Sequence, residues 1–310
     1  MNEIAVGADF SAVRDNIYDR ALVRLLESGR KVPSPQGESS WMLRPITLEY
    51  DLRSPSGKKD RIILPIPKRS AQKPIFSAIG EITAFMNGVT TNEGLKKFGC
   101  DWWERWTSEE YLKHCELDLK PGELGPGSYG AAFHDFPTAE GVPFNQVKHV
   151  MEQMKELPYL RTHMIMSWVP QYAGRGKGKK RQVAVAPCHG TVVYFDVDME
   201  AKELSLYHVQ RSGDLPVGVA WNIIQYCAWL LMAAHIIGYA PAFYYHVIIN
   251  PHMYERQIEP VKKYLAFEEK PFPELVLKST DIDDIFSFRP TDFELSGYEK
   301  RPYIDIPTPT

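Results

Sequence analysis

The sequence predicts an α+β fold, a mostly antiparallel sheet with long helices packed on one side. Three stretches carry that expectation. "TVVYFDVD" and "ELSLYHVQ" (191–198 and 203–210) alternate apolar and polar residues about a turn at Glu200 to Lys202, which is the pattern of a half-buried hairpin. "GVAWNIIQYCAWLLMAAHIIG", Gly218 to Gly238, is apolar almost all round and suits a helix buried at the centre of a large protein. "FYYHVIIN", Phe243 to Asn250, is a further strand directly behind it. No internal repeat or flexible linker interrupts the chain, so residues 1–310 are read as a single domain.

The other elements follow in order. Asn16 to Leu26 has helical spacing behind an asparagine cap, and "ESGRKVPSPQGESS" then breaks regularity with two prolines and two glycines. "WMLRPITLEYDLR" alternates like a strand, and "RIILPIP" is a short apolar run. Phe76 to Asn87 is expected to be a helix closed by Gly88, a residue free to adopt the left-handed backbone of a helix end. "LGPGSYGAAFHDFP" reads as a glycine-rich loop. Asn145 to Glu156 reads as an amphipathic helix, capped by Asn145 and stopped before Pro158. "THMIMSWVP" is expected to be a strand, "AGRGKGKKRQ" a solvated loop, and the tail "EKRPYIDIPTPT" extended.

Composition narrows the function. The chain is 44% hydrophobic and 24% charged with a net charge of −3, so it has core material in plenty and no global electrostatic basis for binding nucleic acid or an anionic membrane. Asn222, Gln225 and His235 interrupt the long apolar stretch, which argues against a membrane span because polar groups are expensive in lipid. Cys100, Cys115, Cys188 and Cys227 are scattered with no CxxC pair, so neither a zinc site nor a disulfide framework is indicated. The first residues lack an apolar leader, which points to a reducing cytoplasmic setting.

The chemistry gathers around "AVAPCHG", Ala184 to Gly190. Cys188 is either a small buried residue or a nucleophile, and reactivity requires a cationic, partly open setting. His189 is a nearby base, though neighbours along a strand face opposite ways. Arg211 and Ser212 in "QRSGDLPVGVAWN" form an anion-binding pair, a guanidinium fork beside a hydroxyl donor. An arginine near a thiol favours the thiolate. Asp214 is suited to accept from a heterocyclic N–H, and Asn222 is an amide in a buried helix that needs partners of both kinds.

Taken in order, "APCH", "QRSGD…G…N" and "NPHMYERQIEP" resemble the thymidylate synthase family. So do "GEITAFMNGVTTNEGLKKFGCDWWERW", "LGPGSYG" and the C-terminal third from "FEEKPFPELVL" onward, so that the resemblance covers about Tyr18 to Thr310. It implies a homodimer joined through the sheet and one-carbon transfer from 5,10-methylenetetrahydrofolate to C5 of a pyrimidine nucleoside monophosphate. By resemblance, Cys188 attacks C6 of the base, Glu81 organises the proton network near C4 and C5, and Tyr129 is linked to removal of the C5 proton. Arg211, Ser212 and the partner's copy of Arg161 would hold the phosphate, His252 and Tyr254 the sugar hydroxyl, and Asn222 the base edge. Trp103, Trp106, Asp214 and Gly218 would form the folate site. Acid–base help of this kind is typically worth ~10²–10⁴-fold.

Four departures separate the chain from the family pattern. Pro35 and Thr162 stand where phosphate arginines are usual, "VAWN" replaces P-F-N beside Val185 in place of a leucine, and the end "DIPTPT" lacks the usual apolar closure. The basic loop Arg175 to Arg181 is a candidate replacement for the missing cations. Altered packing near the one-carbon unit would admit water, giving hydroxymethyl where a hydride gives methyl. The reading taken is hydroxymethylation of dUMP, which an amide at Asn222 favours over cytosine. The alternatives are a thymidylate synthase making dTMP and dihydrofolate, a CMP or dCMP hydroxymethylase, and a non-catalytic nucleotide- or RNA-binding relative.

Overall fold

The computed structural model describes residues 16–34, 37–69 and 71–308. Helix α1 (Ile17–Ser28) begins where the asparagine predicts: the Asn16 side chain accepts from the N–H groups of Tyr18 and Asp19. Its Leu22, Leu25 and Leu26 are buried. β1 (Arg30–Pro33) and β2 (Ser39–Met42) form an antiparallel hairpin. The run expected as one strand from Trp41 is two, because β3 (Ile46–Asp51) starts only after Pro45 and enters a different sheet. Proline has no N–H for a ladder and restricts the residue before it, so the chain turns there. β4 (Arg61–Ile63) is the short apolar run.

α2 (Gln72–Met86) starts a turn earlier than expected and ends at Asn87, with Gly88 at φ +75°. Two short helices follow, α3 (Asn92–Lys97) and α4 (Glu109–His114). The expected glycine-rich loop instead contains helix α5 (Tyr129–His134). Glycine here serves close approach rather than a turn: a Cβ on Gly130 would lie 2.1 Å from Val89 O. α6 (Gln146–Glu156) is capped by Asn145 as predicted and buries Val147, Val150, Met151 and Met154.

The next expected strand shrinks to β5 (Met164–Ile165), followed by the single turn α7 (Pro170–Ala173). Its backbone groups are claimed elsewhere. Met166 exchanges hydrogen bonds with the Gln146 amide at 2.8 and 3.0 Å, and Ser167 N–H donates to Gly190 O at 2.9 Å. The predicted hairpin is β6 (Val192–Asp198) and β7 (Glu203–Gln210), with Lys202 at φ +57° in the turn. β8 (Gly213–Asp214) and a π-helical turn at Leu215–Val219 lead into α8 (Ala220–Ile237), closed by Gly238 at φ +78°. β9 (Ala240–Ile248), β10 (Pro251–Tyr254), α9 (Ile258–Leu265), β11 (Glu274–Leu277) and β12 (Phe293–Ser296) complete the fold.

Three sheets result among the described residues. The largest runs β3-β9-β7-β6-β5 and is antiparallel except between β7 and β9; β1-β2-β10-β8 is antiparallel except between β8 and β10; β12-β11-β4 is wholly antiparallel. α8 packs on β7 and β9, with α2 and α6 against it. Among the described residues one helical stretch, Leu215–Ile237, is long and apolar enough to cross a membrane, and it is 83% buried in this core. The placement matters for the site: β7, β8, β10, α2 and α8 all end or pass beside the loop that carries Cys188.

Candidate active site

Cys188 sits on an irregular loop that no strand ladder holds. Arg211 and Tyr129 pin it instead. Arg211 donates from its backbone N–H to Cys188 O at 3.0 Å, from Nε to Pro187 O at 2.7 Å and from Nη2 to Ala186 O at 3.0 Å. The Tyr129 hydroxyl oxygen accepts the N–H groups of Cys188 at 2.6 Å and His189 at 3.3 Å. Beyond the cysteine, Gly190 N–H donates to His208 Nε2 at 2.8 Å. Gly190 has φ +61°, and a Cβ there would lie 2.5 Å from the Tyr226 hydroxyl, so only glycine fits.

Cys188 Sγ lies 3.5 Å from Arg211 Nη2. Burial pushes the thiol up, while Arg211 and then Arg181 pull it down, and burial prevails. The expected arginine effect is therefore present, but the sum is a thiol above its ordinary value. His189 is not the partner base. Its Nδ1 is 2.8 Å from the Tyr226 hydroxyl, its ring stacks on Tyr129 at 4.1 Å, and burial drives its pKa down to about 3.

The thiol faces a cavity of about 830 Å³. Of the thirteen residues singled out in the sequence, twelve line it: Cys188, Arg211 and Ser212 with Tyr129; Glu81 with Trp103 and Trp106; Asp214, Gly218 and Asn222; and His252 with Tyr254. Arg161 alone lies outside it, exposed on the segment leading into β5. Thr162 is exposed too and donates to Gln153 Oε1 at 3.1 Å. Pro35 lies outside the described residues.

The walls are chemically distinct. Glu81 Oε1 accepts from the indoles of Trp102, at 2.8 Å, and Trp103, and its Oε2 accepts from Gln225. Burial raises its pKa despite those three donors. Tyr129 keeps its proton, held up by burial and then by the nearby thiol. His252 Nδ1 faces two acceptors, Asn250 O at 3.0 Å and Asn250 Oδ1 at 3.1 Å, so it carries the hydrogen and Nε2 presents a lone pair. Burial lowers the pKa of His252 and keeps the ring neutral. Asp214 Oδ2 accepts from Gln257 at 3.0 Å, whereas Oδ1 is buried without a partner. Burial pushes this carboxyl up to about 7. An orphaned acceptor on a wall shared with Trp103, Trp106 and Trp221 fits a flat heterocycle bearing N–H donors, such as a pterin.

Sequence reasoning missed the lining residues Trp168 and Trp221, and the role of Gln225, which is buried behind the wall. Trp168 lies beneath the Arg211 guanidinium, 4.9 Å from ring centroid to Cζ, and no spacing signals it. Trp221 stacks with Trp102 at 6.2 Å. Gln225 was visible as one of the polar interruptions of the central helix; its i+3 spacing from Asn222 places both on one face. The basic loop splits. Lys177 and Lys179 are exposed and off the cavity wall, and Lys180 pairs with Glu116 at 2.6 Å, but the terminal arginines Arg175 and Arg181 both line the cavity.

Two measurements test these electrostatics. Alkylation of Cys188 by iodoacetamide, resolved by peptide mass, should still be accelerating with pH above the ordinary thiol value; a rate already level at pH 7 would contradict the burial argument. Unfolded Asp214 releases its proton near 3.8 and the folded residue at about 7, so the stability this proton contributes is full below that window and lost as pH rises through it. Asp214→Asn, which cannot ionise, should therefore melt higher than the parent at pH 8 and lose this advantage at pH 4. A lower midpoint at pH 8 would refute the assignment.

The family model described as thymidylate synthase matches residues 16–309. That match takes in the Cys188 loop, the arginine that clamps it and every wall of the cavity, and the chain belongs to the thymidylate synthase family.

Proposed function

We propose that residues 1–310 form one catalytic domain that transfers a one-carbon unit to C5 of dUMP, with Cys188 Sγ bonding to C6 of the base. Family membership supports one-carbon transfer to C5 of a pyrimidine nucleotide with a folate donor. The observation that carries the finer reading is the Cys188–Arg211 contact at 3.5 Å on the wall of a cavity that also holds Asn222 and Asp214. Addition of the thiolate to C6 moves an electron pair towards O4, and the free Asn222 Nδ2–H is suited to stabilise the charge that develops there. His252 Nε2 is suited to accept from a sugar hydroxyl. Tyr129, held protonated, acts by donating and positioning rather than as the free base that takes the C5 proton. Methylenetetrahydrofolate supplies the one-carbon unit when bound, and Asp214 with Trp103, Trp106 and Gly218 would hold it.

Phosphate recognition rests on Arg211, Ser212 and two further guanidinium groups. Arg175 and Arg181 line the cavity, Arg181 held by the Tyr111 hydroxyl at 3.3 Å. These arginines, rather than the lysines between them, take the place of the cations missing at Pro35 and Thr162. Arg161 serves the site of a second copy. The outer face of the large sheet supports such a dimer: Tyr207 stacks on Tyr245 at 4.5 Å, and Met164 on the edge strand and Ile249 just beyond β9 are each 46% exposed. A reducing, cytoplasmic setting suits a reaction that needs a free thiol.

The product we assign is 5-hydroxymethyl-dUMP. Thr308, a hydroxyl-bearing residue of the tail, lines the cavity, and the tail is held by Gln257, which donates to Pro307 O at 2.8 Å, and by Arg105, which donates to Thr308 O at 3.2 Å. A polar closure of this kind suits access by water. The indole wall of Trp102, Trp103, Trp106 and Trp221 favours the second reading, a dry site making dTMP and dihydrofolate. Mass spectrometry of products from dUMP, dCMP and CMP with methylenetetrahydrofolate decides. The expected result is one hydroxymethyl group added to dUMP alone, with no rise in dihydrofolate absorbance. A methyl group with dihydrofolate establishes the second reading, a product from dCMP or CMP overturns the base assignment, and intact binding without any product overturns catalysis.

A further inference from the structure

Gln225 is fully buried on α8, and both ends of its amide are engaged. Nε2 donates to Glu81 Oε2, and Oε1 accepts from Asn222 Nδ2 at 2.9 Å. The Asn222 oxygen in turn accepts from Gln210 Nε2 at 3.0 Å. Gln210 is itself fixed, because Nε2 also donates to the backbone oxygen of Ser212 at 3.0 Å and its Oε1 lies 2.7 Å from His246 Nε2. The result is a directional chain of amides running from β7 through α8 to α2. Its ends are groups of one polarity only: a backbone carbonyl at Gln210, and at Glu81 a carboxylate whose other oxygen already accepts from the indoles of Trp102 and Trp103.

We infer that Gln225 is a specificity-determining positioning residue: it holds the Asn222 amide in the one orientation that matches uracil and opposes cytosine. This rests on the dUMP reading of the site. With Nδ2 turned to Gln225 and Oδ1 to Gln210, Asn222 retains one N–H and one lone pair for a ligand. Uracil offers O4, an acceptor, beside N3–H, a donor, and meets both. Cytosine offers an amino donor at C4 beside an acceptor at N3, the reverse pattern. Accepting cytosine requires Asn222 to turn over. That places oxygen against Gln225 Oε1 and nitrogen against Gln210 Nε2, breaking two buried hydrogen bonds. Gln225 cannot follow by turning its own oxygen to the Glu81 carboxylate, and Gln210 cannot turn its oxygen to Ser212 O.

The test is equilibrium binding of dUMP and dCMP, without folate and so without turnover, to the full-length protein and two variants. Gln225→Met keeps the volume and removes both amide groups. Gln225→Ser offers a hydroxyl that both donates and accepts, so it imposes no orientation. The parent should bind dUMP more tightly than dCMP, and the ratio should fall about tenfold in both variants, as expected for the loss of one orienting hydrogen bond. A merely structural role would weaken both nucleotides in proportion and leave the ratio unchanged, which overturns the inference. So does a parent that binds dCMP as tightly as dUMP, a measurement that needs no variant. If the parent binds neither nucleotide, the reading of the site falls as well; if dUMP binding persists with a fixed ratio, only the claim for Gln225 falls.

Discussion

The geometry of this protein depends on what Arg211 does to the Cys188 loop. A nucleophile must be held still, and Cys188, proposed for that role, rides on a segment with no ladder of backbone hydrogen bonds. Arg211 supplies the missing partners by gripping Ala186, Pro187 and Cys188 in succession, with its guanidinium laid over Trp168. Tyr129 holds the same loop by its N–H groups. A single arginine thus fixes the backbone, sits beside the sulfur and faces the cavity. Replacing it with lysine would lose the fork on which the grip depends.

Behind the loop lies a polar seam within an otherwise apolar core. The rings of His189, Tyr226, His208 and Tyr244, the first pair edge-on and the others stacked, run with the amides of Gln210, Asn222 and Gln225 between the large sheet and α8. Burying so many polar groups is tolerable only because each principal contact is reciprocated, and the imidazoles stay neutral. The seam makes side-chain orientation unambiguous, so the cavity wall presents donors and acceptors in a set order. His246 Nδ1 and Asp214 Oδ1 depart from that completeness, and Asp214 does so on the cavity wall where a ligand can supply the partner.

Much of this was legible in the residues themselves. Asn16 and Asn145 announced their helices because a side-chain cap is a local interaction, and the hairpin over β6 and β7 was visible in its alternation. Twelve of the thirteen candidate site residues meet at one cavity because motif order carries the fold with it. What escaped depends on distant partners. The glycines around Gly130 looked like a loop, whereas Gly130 itself lets α5 pack against Val89. The strand expected near Met164 lost its ladder to Gln146 and Gly190, residues far away in sequence. Charge counting pointed to the whole basic loop, and only packing distinguishes Arg175 and Arg181 on the wall from the solvated lysines. The thiol followed the same rule: the neighbouring arginine was foreseeable, but the larger effect of burial was not.

The central claim is that Cys188 bonds to C6 so that C5 becomes the reacting carbon, and the C5 hydrogen reports on it directly. With dUMP labelled by tritium at C5 and methylenetetrahydrofolate present, the parent protein should release tritium to water. Cys188→Ser should lower that rate by several orders of magnitude while still binding dUMP. Release by Cys188→Ser at the parent's rate would contradict the account at its root.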